Sequence, residues 1–389
     1  MTILSQRARV AQLLALFVGS AVMLSLIGLV FIYEASSILA GEQKNDAAFY
    51  LKRQAKGLVI GIVIAIAVSM IPLRILQTYA GKMFWLALCI TLVPLIFSSC
   101  AVKIHGSTRW LSLGGHALQP SELMKVLMVP CIASYITDKD GVMLHHSARS
   151  LIIVLFIAAC AAVVFLSQPD FGQAALVMLT VCCIGLITYQ YPVRLFLLAI
   201  PLALIAGMLI VIQPYRLKRI MTFLRPWDDP QGSGFQIIQS LIAIGSGGWG
   251  GRGIAQSQQK YFYLPMQHTD FIFAIIAEEM GLIGSCCVIG LYAIVLYAGV
   301  QLALRMRNMW ASMTILGQTI LISLQALMNL AVATGMAPTK GIGLPFLSYG
   351  VSSLLACSCM IGIVIACVRH HLNYSIHEHH YAASALKYG

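Results

Sequence analysis

Glu122, Lys125, Asp170, Asp270, Glu278, Glu279 and Lys340 all stand within, or at the edge of, long apolar stretches. An ionised group at membrane depth costs roughly 2.5–3.5 kcal/mol or more, so each of these either serves a function or needs a partner. Glu122 and Lys125 lie three apart in Gln119-Pro120-Ser121-Glu122-Leu123-Met124-Lys125. On a helix that spacing puts them on one face, where they neutralise each other as a structural pin or as part of a ligand site. Asp170 occupies the sharp turn Gln168-Pro169-Asp170-Phe171-Gly172, where a carboxylate can cap the next helix or face a polar cavity. Asp270 ends the polar run Gln267-His268-Thr269-Asp270 and is followed at once by Phe271-Ile272-Phe273. It therefore sits where water meets apolar surroundings, and partial desolvation raises a carboxylate pKa and makes it a better base. Capping of the following helix is the alternative for Asp270, and Thr269 could serve there as well.

Asp270 closes the one long polar loop of the chain, residues 213–270. The loop opens with Tyr215-Arg216-Leu217-Lys218-Arg219 and Arg225-Pro226-Trp227, a mixture of cations and aromatics. Next comes Gly245-Ser246-Gly247-Gly248-Trp249-Gly250-Gly251-Arg252-Gly253. It is not a phosphate-binding P-loop, because Gly-Lys-Ser/Thr and a preceding strand are missing. Its glycines would let backbone amides approach a phosphate, although tight turning is the commoner reason for such a run.

The elements that must position these groups are membrane helices. Of 389 residues, 59% are hydrophobic and 10% charged, against roughly 25% charged in a soluble domain. A helical crossing takes about 20 mostly apolar residues. Such runs are read near 11–33, 55–73, 83–102, 122–136, 150–166, 172–190, 193–212, 271–303, 310–336 and 352–369. The expected fold is thus all-α, a polytopic bundle of about ten transmembrane helices in one membrane domain over 1–389, with a short tail over 370–389. An even number of crossings puts both termini on one side. Taking that side as cytoplasmic places eleven of the 25 Lys and Arg residues inside, so charge alone orients the chain weakly. Basic residues gathered on the other face suit an anionic ligand there, or lipid headgroups. Gly57 and Gly61 form a close-packing pair, and the cysteines, set in apolar runs, read as small buried hydrophobes. Five histidines in the tail, including His377, His379 and His380, offer a weak metal signal.

Several ordered segments resemble the SEDS family, the polytopic proteins of bacterial shape, elongation, division and sporulation. They are Gln239 to Gly247, His268 to Glu279, and Pro345-Phe346-Leu347-Ser348-Tyr349-Gly350, with Gln119–Lys125 and Gln168–Gly172 matching further motifs. Ser257 to Pro265 and Pro338-Thr339-Lys340-Gly341 resemble the division (FtsW) branch rather than the elongation (RodA) or sporulation (SpoVE) branch. The chain departs from the family in Pro265-Met266, where Pro-Glu is usual, and in Tyr349-Gly350-Val351-Ser352-Ser353, where Tyr-Gly-Gly-Ser-Ser is usual.

The resemblance implies a peptidoglycan glycosyltransferase that polymerises lipid II, a disaccharide-pentapeptide on undecaprenyl diphosphate, at the outer face of the inner membrane during septal synthesis. Inversion from an α-linked donor to a β-linked product needs one base, and the resemblance assigns it to Asp270. Arg216, Lys218, Arg219, Lys340 and Arg109 are then expected to hold the diphosphate, with a divalent cation (Mg or Mn) compatible with the site. Glu122, Lys125, Asp170 and His268 are expected to line the cavity. A class B penicillin-binding protein and other divisome proteins are the implied partners, with no nucleic acid. A lipid II flippase, an elongation-type polymerase and a non-catalytic divisome scaffold are the rival readings.

Overall fold

The computed structural model describes residues 3–97, 101–104, 107–113, 116–137, 143, 147–189, 214–259, 267–339 and 341–388. The helix expected over 193–212 lies outside these residues, as do Lys340 and the segment 260–266. In chain order the elements are α1 (Ile3–Lys44), α2 (Phe49–Met70), α3 (Leu73–Ile96), β1 (Ala101–Ile104), β2 (Ser107–Leu113) and β3 (His116–Leu118). There follow α4 (Pro120–Ile136), α5 (Ala148–Ser167), α6 (Phe171–Thr188), α7 (Pro214–Leu224) and α8 (Phe235–Gly247). The chain ends with α9 (Ile272–Ala303), α10 (Met309–Ala333) and α11 (Val351–Tyr388).

Eight of these helices are long and apolar enough to cross a bilayer, and the 17-residue α4 is apolar but shorter. Local signals set their ends. Pro120 opens α4 at a position whose N–H needs no partner. Ser147 and Asn308 cap α5 and α10 by accepting from Ser150 N and Ala311 N, at 3.1 and 3.0 Å. Burial separates centre from rim: 78% of the apolar window of α11 is buried inside the protein but only 17% of that of α2, so α2 turns Val59, Ile60 and Val63 towards lipid. The inner face of α2 carries Gly57 and Gly61, which meet Val351 and Ser358 of α11, the close packing expected of the pair. The ten described cysteines are free thiols. α1 and α11 run well beyond the expected spans, and α11 carries the tail onward as helix.

Two features differ from the sequence expectation. The third helix does not reach residue 102; it stops at Ile96, and Ala101–Ile104, Ser107–Leu113 and His116–Leu118 form a three-stranded antiparallel sheet, β1-β2-β3. Val102 pairs with Trp110 and Leu111 with Leu118. Strands of four, seven and three residues carry too short an alternation to be seen in sequence, and they pack on α3 and α4.

The second feature is the glycine run, which turns tightly, the commoner reason for such a run, and does so against a break in α9 that the sequence did not show. Helix α9 breaks at Gly281 (φ 62°, ψ −159°), which frees backbone groups at membrane depth that must find partners within the protein. The glycine run supplies them. Arg252 N and Gly253 N donate to the carbonyls of Glu278 and Glu279, each at 3.0 Å, while Leu282 N and Ile283 N donate to Gly248 O and Trp249 O. Gly251 (φ +82°) lies so close to the Glu279 carbonyl that an added Cβ would collide with it. Gly251→Ala is therefore expected to destabilise the protein by about 1–3 kcal/mol, read as a lower melting temperature in detergent. The side chains of Glu278 and Glu279 complete the clasp, accepting from Gln258 N (3.0 Å), Ala255 N (3.1 Å) and Ser257 N (3.2 Å).

A candidate active site at one end of the bundle

The ends of α1, α5 and α10 and the starts of α2, α4, α6, α9 and α11 meet at one face of the bundle. They enclose a cavity of about 1150 Å³, above the usual range of roughly 300–1,000 Å³ for small-ligand sites. Asp270, Asp170, Glu122, Arg109, Arg219 and His268 all line it. Since α1 ends and α11 begins at this face, the start of α1 and the far end of α11 lie on the opposite face.

Asp270 lies in the turn before α9. The cap position of that helix is Phe271, and no side chain caps it, so the Asp270 carboxylate is free for the cavity. The turn is tied down by its backbone. Asn329 Nδ2 on α10 donates both to Asp270 O (2.8 Å) and to Ile342 O (2.7 Å), and Tyr349 N donates to His268 O (2.9 Å). A Cβ added at Gly341 would stand 3.8 Å from Asp270 Oδ2 and 3.9 Å from Arg109 Nη2, so carboxylate and guanidinium flank the same small space. Burial pushes the Asp270 carboxyl up to about 7. Arg109 and Arg219 pull against that rise, and Asp170 adds to it.

Arg109 comes from β2, the missed sheet, and forms an ion pair with Asp170. Asp170 fulfils both expectations at once: it caps α6, accepting from Gln173 N at 3.3 Å, and it lines the cavity. Beneath it, the Lys125 ammonium, 1% exposed, meets Glu122 Oε2 (2.8 Å), Gln325 Oε1 (2.8 Å) and Gln173 Oε1 (3.3 Å). Gln173 Nε2 donates to Glu122 Oε1 at 2.9 Å. The expected Glu122–Lys125 pair thus floors the cavity and joins α4 to α6 and α10.

The basic start of the long loop divides. Arg219, on α7, reaches the cavity and donates to Thr339 O at 3.0 Å. Lys218 is exposed, acts on Asp229, and is not among the residues lining the cavity. The Arg216 side chain and Lys340 lie outside the described residues. His268 lines the cavity as a neutral ring: burial lowers its pKa to about 4, and it stacks near Tyr50 (centroids 4.8 Å) and Tyr349 (5.6 Å). It offers no cation to a diphosphate.

A model of the FtsW/RodA/SpoVE "Cell cycle protein" family matches residues 14–373. The chain belongs to that family. It is similar to the stage V sporulation protein E of Bacillus subtilis (strain 168), at 36% identity over 341 residues, 87% of this chain and 92% of that protein. It is likewise similar to a probable peptidoglycan glycosyltransferase FtsW of Geobacter sp. (strain M18), at 37% identity over 351 residues, 89% and 94% of the two chains. Among solved structures it resembles a chain from "Structural coordination of polymerization and crosslinking by a peptidoglycan synthase complex", with a TM-score of 0.73 and 27% identity over 91% of this chain and 97% of that one. The SEDS resemblance read from the motifs, and the helical bundle it implied, both stand.

Within this SEDS fold, sequence reasoning missed the α10 ladder of Gln325 and Asn329. Gln325 Nε2 donates to Gly343 O at 2.9 Å, so both amides grip the segment 341–343, and Asn329 also holds the Asp270 turn. Their spacing of four on an otherwise apolar helix was the available signal. Asn329→Leu removes two buried donor contacts, each worth about 1 kcal/mol. The expected result is a roughly ten-fold lower turnover with little change in KM, since the loss lies in positioning.

Proposed function

We propose that this chain is a division-type lipid II polymerase acting at the outer face of the bacterial inner membrane. Family membership and the names carried by its relatives supply the reaction class, peptidoglycan glycosyl transfer. One observation supports the assignment of the base: a carboxyl with its pKa raised to about 7, uncommitted to capping, on the wall of a cavity that the Arg109 and Arg219 guanidinium groups also line.

In this reading the acceptor's 4-hydroxyl attacks the anomeric carbon of the donor sugar in line with the departing diphosphate. The new C–O bond forms as the old anomeric C–O bond breaks, with inversion. The bonding pair leaves on the diphosphate oxygen, and the hydroxyl proton passes to Asp270. Arg109 and Arg219 stabilise the leaving diphosphate, for which forked N–H donors are suited. Glu122 and Lys125 hold the helices that shape the cavity, and Asp170 holds Arg109. Among the described residues no three His, Cys, Asp or Glu side chains converge. A divalent cation here would therefore take its protein ligands from the Asp170–Asp270 wall and the rest from diphosphate and water, and no step above depends on it.

The cavity face is then extracytoplasmic and both termini are cytoplasmic. A class B penicillin-binding protein is the partner this reading calls for, placed at the septum with other divisome proteins. The test is the purified protein with that partner and lipid II. Glycan strands from the wild type, and none from Asp270→Ala, support the proposal. Strands made by Asp270→Ala at the wild-type rate would refute the assigned base, and transport of lipid II without polymerisation would favour a flippase.

A further inference from the structure

Helix α4 carries the cavity floor, Glu122 and Lys125, and contains a break in its own hydrogen bonding. Pro130 lies inside the helix, a little over one turn beyond Lys125, and is buried. Proline has no N–H to give, so the carbonyl four residues earlier, Val126 O, loses its helical donor. At membrane depth no bulk water makes up such a loss, and a neighbouring side chain must do so. Gln318 of α10 does: its Nε2 donates to Val126 O at 2.9 Å, and the residue is 0% exposed.

The same face of α10 grips α4 on either side of the proline. Trp310 Nε1 donates to Pro130 O (3.2 Å) and to Ser134 Oγ (2.8 Å), while Gln325 Oε1 accepts from Lys125 Nζ (2.8 Å). Trp310, Gln318 and Gln325 are spaced by eight and seven residues, about two helical turns each, which keeps them on one face. Gly317 lets the two helices approach closely beside the break, since a Cβ added there would stand 2.6 Å from Val129 Cγ1. Of these contacts, the one from Gln318 replaces a bond that α4 cannot make for itself.

A helix bends most readily where a proline has removed one of its bonds. Bending α4 at Pro130 would shift Lys125 against Gln173, to which it donates. Gln173 N in turn donates to Asp170, and Asp170 pairs with Arg109 on the catalytic wall. We propose that Gln318 is a positioning residue for glycosyl transfer, supplying the donor that Pro130 lacks and so fixing the two halves of α4 relative to each other. Through Lys125, Gln173 and Asp170 it keeps Arg109 in place beside Asp270, without itself touching the cavity. This rests on the polymerase reading for the reaction that it serves.

The test is a mutant cycle over the two residues, because Pro130→Ala gives α4 back its own N–H. The full-length protein and its variants are assayed on lipid II with the partner and melted in detergent. Gln318→Leu alone should lower kcat about five- to ten-fold, with KM within about two-fold of wild type, and should melt earlier. Pro130→Ala alone should keep kcat within about two-fold of wild type. In the Pro130→Ala background, adding Gln318→Leu should cost less than about two-fold in kcat and little in melting temperature. If Gln318→Leu alone does not fold, the double variant should fold and make glycan, which is the same suppression in another form. Wild-type kcat in Gln318→Leu would overturn the proposal, as would a loss of equal size in both backgrounds. A change in KM alone would also overturn it, since positioning acts on turnover. A wild type that makes no glycan would instead sink the polymerase reading, and the four melting temperatures would still show whether Gln318 stands in for the missing donor.

Discussion

Asp270→Asn is expected to lower the rate of glycan formation by about 10²–10⁴-fold, the span a positioned general base contributes, while lipid II still binds. The amide keeps the shape of the side chain but cannot take the acceptor's proton. The pH profile provides the sharper reading. Burial holds the carboxyl up to about 7, so in the free protein only about a tenth is ionised at pH 6 and about nine-tenths at pH 8. The base is the ionised form, so kcat/KM should rise about ten-fold per pH unit below 7 and level off above it. The residual rate of Asp270→Asn should be flat across that range. An unchanged acid limb in the variant would place the titrating group elsewhere. Arg109 pulls the carboxyl down, so Arg109→Gln should move the limb to higher pH as well as weaken diphosphate binding.

Lys125→Met carries the largest expected effect on stability. The ammonium is 1% exposed and is the shared partner of Glu122, Gln173 and Gln325. Removing it strands the Glu122 carboxylate, and breaking a buried pair from one side costs about 3–5 kcal/mol. Replacing both partners with apolar side chains of similar volume is far less costly, because no charge is left uncompensated. Detergent melts should therefore show a large drop for Lys125→Met and substantial recovery when Glu122→Leu is added. A single variant that melts with the wild type would show that the network contributes little to stability. Activity need not return with stability in the double variant, because Gln173 also donates its backbone N–H to Asp170, which holds Arg109.

The membrane helices were legible in sequence because lipid imposes a simple requirement: about 20 apolar residues whose backbone bonds close within the segment. The Glu122–Lys125 pair was legible for a similarly local reason, since a spacing of three fixes neighbours on a helix whatever the rest of the chain does. Asp170 and Asp270 were visible as costly charges at span ends, but their roles were not. Cap or cavity wall depends on dihedral angles at Phe271 and on where β2 brings Arg109, 61 residues from its partner in sequence. The glycine run was legible as a tight turn, but its partner was not, because its amides and carbonyls satisfy the break in α9 at Gly281, far along the chain. Lys44 and Arg53 were not singled out in the sequence, and only the bundle placed them on the cavity wall, as it placed Asn329 against the Asp270 turn. Composition and periodicity thus determined that this chain crosses the membrane many times and which few charges it keeps there. Only the packing of distant segments decided which of those charges are spent on holding helices and which are left facing the cavity.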